Sequence, residues 1–106
     1  MAMINVENHV RNDITNSPKL KELSAEQLLC FGVTGLNEEA GEVAGLLCRE
    51  VYKKAEMPQE KWIEELGDVL WYLTAATIAK GLTLEQLWEY NVSKLKERYG
   101  ENHARG

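Results

Sequence analysis

The chain has 106 residues, 44% hydrophobic and 27% charged, which suits one folded domain and excludes a largely disordered chain. Twelve basic and 17 acidic side chains give a formal net charge of −5, so duplex nucleic acid and anionic membranes are not expected partners. No apolar run approaches the ~20 residues of a membrane span. Cys30 and Cys48 fall on one predicted helix, too far apart to pair, which predicts a reduced, cytoplasmic protein.

The N-terminal segment, residues 1–23, shows little hydrophobic periodicity and predicts at most a short helix. Pro18 disfavours helix at the residue before it, so a break is expected there. The predicted folded domain is therefore residues 24–100, followed by a tail at 101–106.

The strongest helical pattern begins at Ser24, where "SAEQ" has the form of a capping box with Gln27 at its third helical position. This helix is expected to end near Lys54. Its apolar residues recur at steps of three and four, which predicts a helix packed along that side. This apolar stripe comprises Leu29, Val33, Leu36, Ala40, Val43 and Leu47.

Two further helices follow in the sequence. One is predicted from Pro58 to Lys80 and is ended by Gly81. The other opens with the capping box "TLEQ" at Thr83, and Gly100 follows its basic last turns. Their stripes are Trp62, Leu66, Val69, Leu70, Leu73 and Thr77, then Leu84, Leu87, Trp88, Val92, Leu95 and Tyr99. No segment alternates like a strand, so the predicted fold is all-α, an antiparallel bundle of three to four helices.

Acidic residues recur at helical spacing on the first two of these helices. "GLNEEAGEV" places Glu39 and Glu42 one turn apart, and "EELGDV" does the same for Glu65 and Asp68. Both pairs border apolar residues. They are either part of a solvated face or ligands of a metal ion. A short link makes the two helices antiparallel neighbours, with the two acidic pairs expected to be offset by a turn or more.

Four converging carboxylates would repel one another, and a hard divalent cation removes that conflict. Oxygen ligands suit Mg²⁺, with Mn²⁺ as a plausible substitute. Zinc is not expected without a CxxC motif, and a di-iron bundle would need Glu-x-x-His. The same helix carries glycines, which indicate either close helix packing or a ligand: Gly32, Gly35, Gly41 and Gly45.

The last helix carries Asn91 inside its apolar stripe, with Lys94 and Arg98 on the same side. A buried Asn needs hydrogen-bond partners, and nearby cations suit phosphate oxygens. The alternative is that the two basic residues only complement the negative end of the helix dipole.

Together, "EEAGE…EELGD" and "NVSKLKERYG" resemble the motifs of the MazG-like all-α NTP pyrophosphatases, a group that includes dimeric dUTPases and phosphoribosyl-ATP pyrophosphohydrolase. The resemblance covers roughly residues 24–100. The link between the two acidic motifs is too short for the extra helices of dimeric dUTPases. "GDVLWYL" differs from the phosphoribosyl-ATP hydrolase pattern.

The resemblance implies roles for individual residues. Mg²⁺ would be held by four acids, and Glu38 would orient or deprotonate the attacking water. Tyr72 would line the nucleoside pocket, whereas Trp62 and Trp71 are expected in the core, with pocket lining as the alternative. The implied metal ligands are Glu39, Glu42, Glu65 and Asp68, and the implied triphosphate ligands are Lys61, Asn91, Lys94 and Arg98.

The implied reaction is hydrolysis of a (d)NTP between the α and β phosphates, giving the monophosphate and pyrophosphate, in a nucleotide-pool cleansing role. The family also implies a homodimer or homotetramer, in which other copies complete the bundle. Two alternatives remain on the same helices: a non-enzymatic helical interaction module, and a nucleotide sensor with little turnover.

Overall fold

In a computed structural model, the backbone is described for residues 2–105 and the side chains for residues 5–100. Within these ranges the only regular secondary structure is helical, which confirms the predicted all-α class. The elements are α1 (Ala2–Asn16), a short 3-10 helix (Leu20–Glu22), α2 (Ala25–Val51), α3 (Gln59–Ala79) and α4 (Leu84–Arg105). The side chains of the predicted tail at 101–106 lie outside the described residues.

Helix ends follow local sequence signals closely. The capping boxes at Ser24 and Thr83 are both formed, each with a reciprocal hydrogen bond to the glutamine three residues later. Gly81 ends α3 with φ +73°, and the bonds Gly81 N–H to Ile78 O and Leu82 N–H to Thr77 O complete a Schellman motif.

Two helices run further than the sequence indicated. The N-terminal segment forms α1, a 15-residue helix, where at most a short helix was predicted. At the other end, α4 continues through Gly100 to Arg105. For α1, contacts with α3 and α4 supply support that its sequence lacks, because tertiary contacts compensate for weak local helix propensity.

The centre of the molecule is the antiparallel pair α2 and α3. The face of α2 that is buried against α3 comprises Leu28, Gly32, Gly35 and Leu46. Within one copy, the predicted apolar stripe of α2 is not the side that packs on α3, because Val33 and Leu47 remain about half exposed, at 50% and 52%. The side of α2 that carries the acids faces α3 instead.

Two glycines explain why this side of α2 packs on α3. A Cβ at Gly32 would lie 2.8 Å from the backbone nitrogen of Ala76, and a Cβ at Gly35 would overlap the ring of Tyr72. The absence of side chains at these two positions lets the helix axes approach closely, as the sequence had suggested. Gly41 has no neighbour within 4 Å, so packing within this chain does not account for it.

The register of α2 on α3 brings the acidic motifs level with each other. Gly35 lies opposite Tyr72, and one turn later Glu39 reaches Glu65 and Asp68. The expected offset of a turn or more between the acidic pairs is therefore wrong. The link contributes to this register, because Glu50 accepts hydrogen bonds from the Trp62 indole (2.8 Å) and from the Met57 backbone (3.3 Å).

Helix α1 packs on α3 and also contacts α4. Its residue Val10 is buried, at 2% exposure. Glu7 accepts a hydrogen bond of 2.8 Å from the backbone N–H of Leu84, the first residue of α4. An acidic side chain at this point also complements the positive end of the α4 dipole.

Much of α4 remains uncovered by the rest of the chain. Trp88 is 64% exposed and Tyr99 48%, although both belong to the predicted apolar stripe. Large apolar residues on α2 and α3 are also exposed, including Val51 and Ile63. Among the described residues, no helix combines the length and hydrophobicity that crossing a membrane requires.

Candidate active site

Three carboxylates converge where the middle of α2 meets the first half of α3. One ligand oxygen each from Glu39, Glu65 and Asp68 can be chosen so that all lie within 4.8 Å of one another. Glu65 is buried, and the other two are half-buried. Because α2 supplies one acid and α3 supplies two, the antiparallel packing of these helices creates the cluster.

The electrostatics of this cluster act most clearly on Glu39. Partial burial raises the pKa of its carboxyl, and a side-chain hydrogen bond with Asp68 raises it further. Negative charge on Asp68, Glu65 and Glu38 adds to the same pKa shift. In the absence of a cation, Glu39 therefore keeps its proton to a higher pH than a free glutamate does.

Lys61 lies one turn before Glu65 on α3 and partly offsets its charge. Its Nζ is 3.8 Å from a Glu65 oxygen and 3.5 Å from a Glu64 oxygen. The lysine is still 44% exposed, so its ammonium group stays accessible beside the acidic cluster. A cation held here by a ligand carboxylate is well placed to meet an incoming phosphate.

The remaining acids of the α2 motif lie around the cluster. Glu42 is exposed, one turn further along α2, and does not belong to the group of three acids. Glu38 is also exposed and faces a neighbouring pocket.

That pocket, of about 330 Å³, opens between α2 and α3 beside the cluster. Its aromatic walls are Tyr72, which the sequence indicated, and Phe31, with ring centroids 5.5 Å apart. The full lining is Cys30, Phe31, Thr34, Gly35, Glu38 and Tyr72. The two rings contact each other, so a flat heteroaromatic group can stack on their exposed faces but not between them, and Thr34 and Glu38 add hydrogen-bonding groups.

Phe31 and Thr34 were missed as pocket residues from the sequence. A signal for them existed, because Phe31, Thr34 and Glu38 recur at helical spacing on one side of α2. Identifying that side as a pocket required Tyr72 opposite it, and the register between two helices supplies this residue.

The two tryptophans near the site do not line this pocket. Trp62 is half-buried and bonded to Glu50, at the link end of the helix pair. Trp71 is half-buried and packs behind the pocket against Phe31 and Tyr72. Both positions favour the packing role expected for them.

The phosphate candidates on α4 occupy a separate helix. Asn91 and Lys94 are half-buried, and Arg98 is exposed but engaged in an interaction. Helix α4 packs principally on α1. Lys61 lies on the helix pair that forms the acidic cluster, whereas the three α4 residues do not.

Comparison with known protein families identifies the family of this chain. The model of the MazG nucleotide pyrophosphohydrolase domain matches residues 32–103, about two thirds of the chain. The chain belongs to this family. It is therefore a hydrolase that acts on phosphoanhydride bonds of nucleotides. Searches of curated proteins and of solved structures gave no significant match.

The matched MazG region contains the acidic cluster, Lys61, Tyr72 and the α4 residues, whereas α1 lies before it. Metal dependence is general in this family. The donor set of the acidic cluster suits a hard divalent cation, because it consists of carboxylate oxygens held close together.

Proposed function

We propose that this MazG-family protein is a Mg²⁺-dependent pyrophosphohydrolase that cleaves a (d)NTP between its α and β phosphates. The products are the nucleoside monophosphate and pyrophosphate, and the role is the cleansing of the nucleotide pool. The observation that carries this proposal is the convergence of Glu39, Glu65 and Asp68 beside a pocket with aromatic walls.

The proposed Mg²⁺ ligands are Glu39, Glu42, Glu65 and Asp68. Proximity supports three of them, and Glu42 is supported by its place one turn from Glu39 on the same helix. When bound, Mg²⁺ would neutralise phosphate oxygens and lower the pKa of a coordinated water; Mn²⁺ could substitute for it.

Glu38 is the proposed proton acceptor. Its carboxylate lies at the pocket wall, next in sequence to a proposed ligand. It is thus on the side from which a nucleotide would present its phosphates to the acidic cluster. A carboxylate there can orient a water and accept its proton as the bond to the pyrophosphate breaks.

The substrate is held at both ends in this proposal. Tyr72, with Phe31, contacts the base, and the lysine that pairs with Glu65 contacts phosphate. Cationic and amide groups stabilise charge on the pyrophosphate leaving group. The proposed triphosphate ligands are Lys61, Asn91, Lys94 and Arg98.

A homodimer or homotetramer completes the proposed enzyme. Support comes from the apolar side chains that one copy leaves exposed on α4, among them Trp88 at 64%, Val92 at 44% and Leu95 at 39%. Such surface is typical of an interface. A neighbouring copy would also allow α4 residues of one chain to reach the acidic cluster of another.

A substrate panel tests the activity directly. The protein is incubated with the common NTPs and dNTPs, with Mg²⁺ or with EDTA, and both monophosphate and pyrophosphate are quantified. We expect turnover only with the metal, with equal amounts of the two products. Release of orthophosphate would contradict cleavage between α and β, and nucleotide-induced thermal stabilisation without turnover would favour a sensor.

A further inference from the structure

One hydrogen bond ties helix α1 to the helix that carries the pocket wall. The indole N–H of Trp71 on α3 donates to Asp13 Oδ2 on α1 at 2.9 Å. Asp13 lies before the region that matches the MazG domain, and none of the motifs in the sequence points to it.

Trp71 transmits this contact to the pocket. Its ring packs edge-on against Tyr72, with centroids 5.2 Å apart, and against Phe31, with centroids 6.3 Å apart. Tyr72 and Phe31 line the pocket, whereas Trp71 does not. Any effect of Asp13 on a bound nucleotide must therefore act through these two aromatic walls.

The Tyr72 ring is confined by its neighbours. It lies so close to Gly35 that no side chain fits there, and Trp71 and Phe31 pack against it from other directions. Rotation of the Trp71 indole would remove one of these supports. The bond to Asp13 opposes that rotation, because the indole has a single N–H donor and rotation would separate it from the Asp13 carboxylate at the protein surface.

We propose that Asp13 is a positioning residue for the nucleotide pocket and acts through Trp71 on Tyr72 and Phe31. The inference rests on the proposed function in taking this pocket as the base site. Helix α1 thus holds the Trp71 indole that supports both aromatic walls, in addition to its bond with the start of α4.

Steady-state kinetics of Asp13→Ala and Asp13→Asn test the inference. Asp13→Ala should raise KM for the preferred triphosphate about threefold to tenfold, the value of one hydrogen bond, with kcat within about twofold of wild type. Asp13→Asn should restore KM, because its amide oxygen still accepts from the indole. Unchanged KM in Asp13→Ala, or a failure of Asp13→Asn to restore it, would overturn the inference.

A second tryptophan–carboxylate bond supplies the matched control. Glu50 accepts from the Trp62 indole at 2.8 Å, at the link end of the helix pair and away from the pocket lining. Glu50→Ala should lower the melting temperature without changing KM. Equal increases of KM in Glu50→Ala and Asp13→Ala would show a general loss of stability and overturn a positioning role.

Binding of α,β-methylene nucleotide analogues in Mg²⁺ separates this inference from the proposed activity. Weaker binding in Asp13→Ala but not in Asp13→Asn supports the positioning role even if wild type hydrolyses no triphosphate. That result would overturn only the activity. A wild-type chain that binds none of the analogues overturns both.

Discussion

The helix pair α2–α3 and the helix α4 have similar sequence patterns but different surroundings. Within the pair, Leu46, Thr74 and Ala75 are fully buried, and close approach at Gly32 leaves no space between the helices. Helix α4 has an equally regular apolar stripe that stays substantially exposed. An apolar stripe in the sequence thus predicts a packed surface, but it does not identify whether the same chain or another chain packs on it.

The two regions also divide the proposed chemistry. The pair holds the carboxylates, the pocket and Lys61, whereas α4 carries the remaining candidate phosphate ligands. Changes within the pair should therefore act on the metal and on stability. Changes on the exposed apolar stripe of α4 should act on assembly, and changes of its candidate phosphate ligands should act on substrate binding.

The largest expected effect is the loss of a proposed metal ligand from the pair. Asp68→Asn should reduce Mg²⁺-dependent turnover at least about 100-fold, because even residues that only orient metal ligands are worth 10- to 100-fold. Isothermal titration with Mg²⁺ and the pyrophosphate assay measure binding and turnover. Glu56→Gln, an exposed acid in the link, is the control and should retain both. Full activity in Asp68→Asn would refute the site.

A charge on the α4 stripe is expected to have the next largest effect. Val92→Glu should weaken self-association about 30-fold or more, because it places an unpaired charge in the proposed interface. Sedimentation velocity over a concentration series measures the change. Ser93→Glu adds the same charge at an exposed neighbouring position outside the stripe and should leave association intact. Equal effects of the two variants would argue against an α4 interface.

Two glycines of α2 distinguish packed from open positions on a single helix. Gly35→Ala should destabilise by about 1–3 kcal/mol, because its Cβ overlaps the Tyr72 ring. Gly41→Ala should stabilise by up to about 1 kcal/mol through helix propensity alone. Chemical denaturation measures both. A destabilising Gly41→Ala would place that position in a contact outside this chain.

The smallest expected effect concerns the charge on Glu39. Folding raises the pKa of Glu39, mainly through burial. The protonated side chain therefore stabilises the metal-free fold at low pH, and this stabilisation is lost as pH rises through the folded-state pKa. Glu39→Gln should therefore raise the melting temperature in EDTA at pH 7–8 but not near pH 4. It should also abolish stabilisation by Mg²⁺. A lower melting temperature for the variant at pH 8 would show that repulsion in the cluster is negligible.

Local signals in the sequence were enough for the helices and for part of the site. The caps at Ser24, Thr83 and Gly81 are formed as predicted, because each involves residues only a few positions apart. The involvement of Glu39, Glu65 and Asp68 in an acidic cluster followed from helical spacing and from the resemblance. The length of α1 could not be predicted from local signals, since α1 is supported by contacts with helices that are distant in the sequence.

By itself, the sequence determined the all-α class, the helix ends at Ser24, Gly81 and Thr83, and the acids that share a helix face, because these depend on neighbours along the chain. Only the tertiary structure decided which side of α2 is buried and which residues face each other. Two sides of α2 were available for packing, and the side with Gly32 and Gly35 allowed the closer approach. That choice set the register that brings Glu39 to Asp68, opens the pocket beside Tyr72 and leaves the apolar stripe of α2 half exposed.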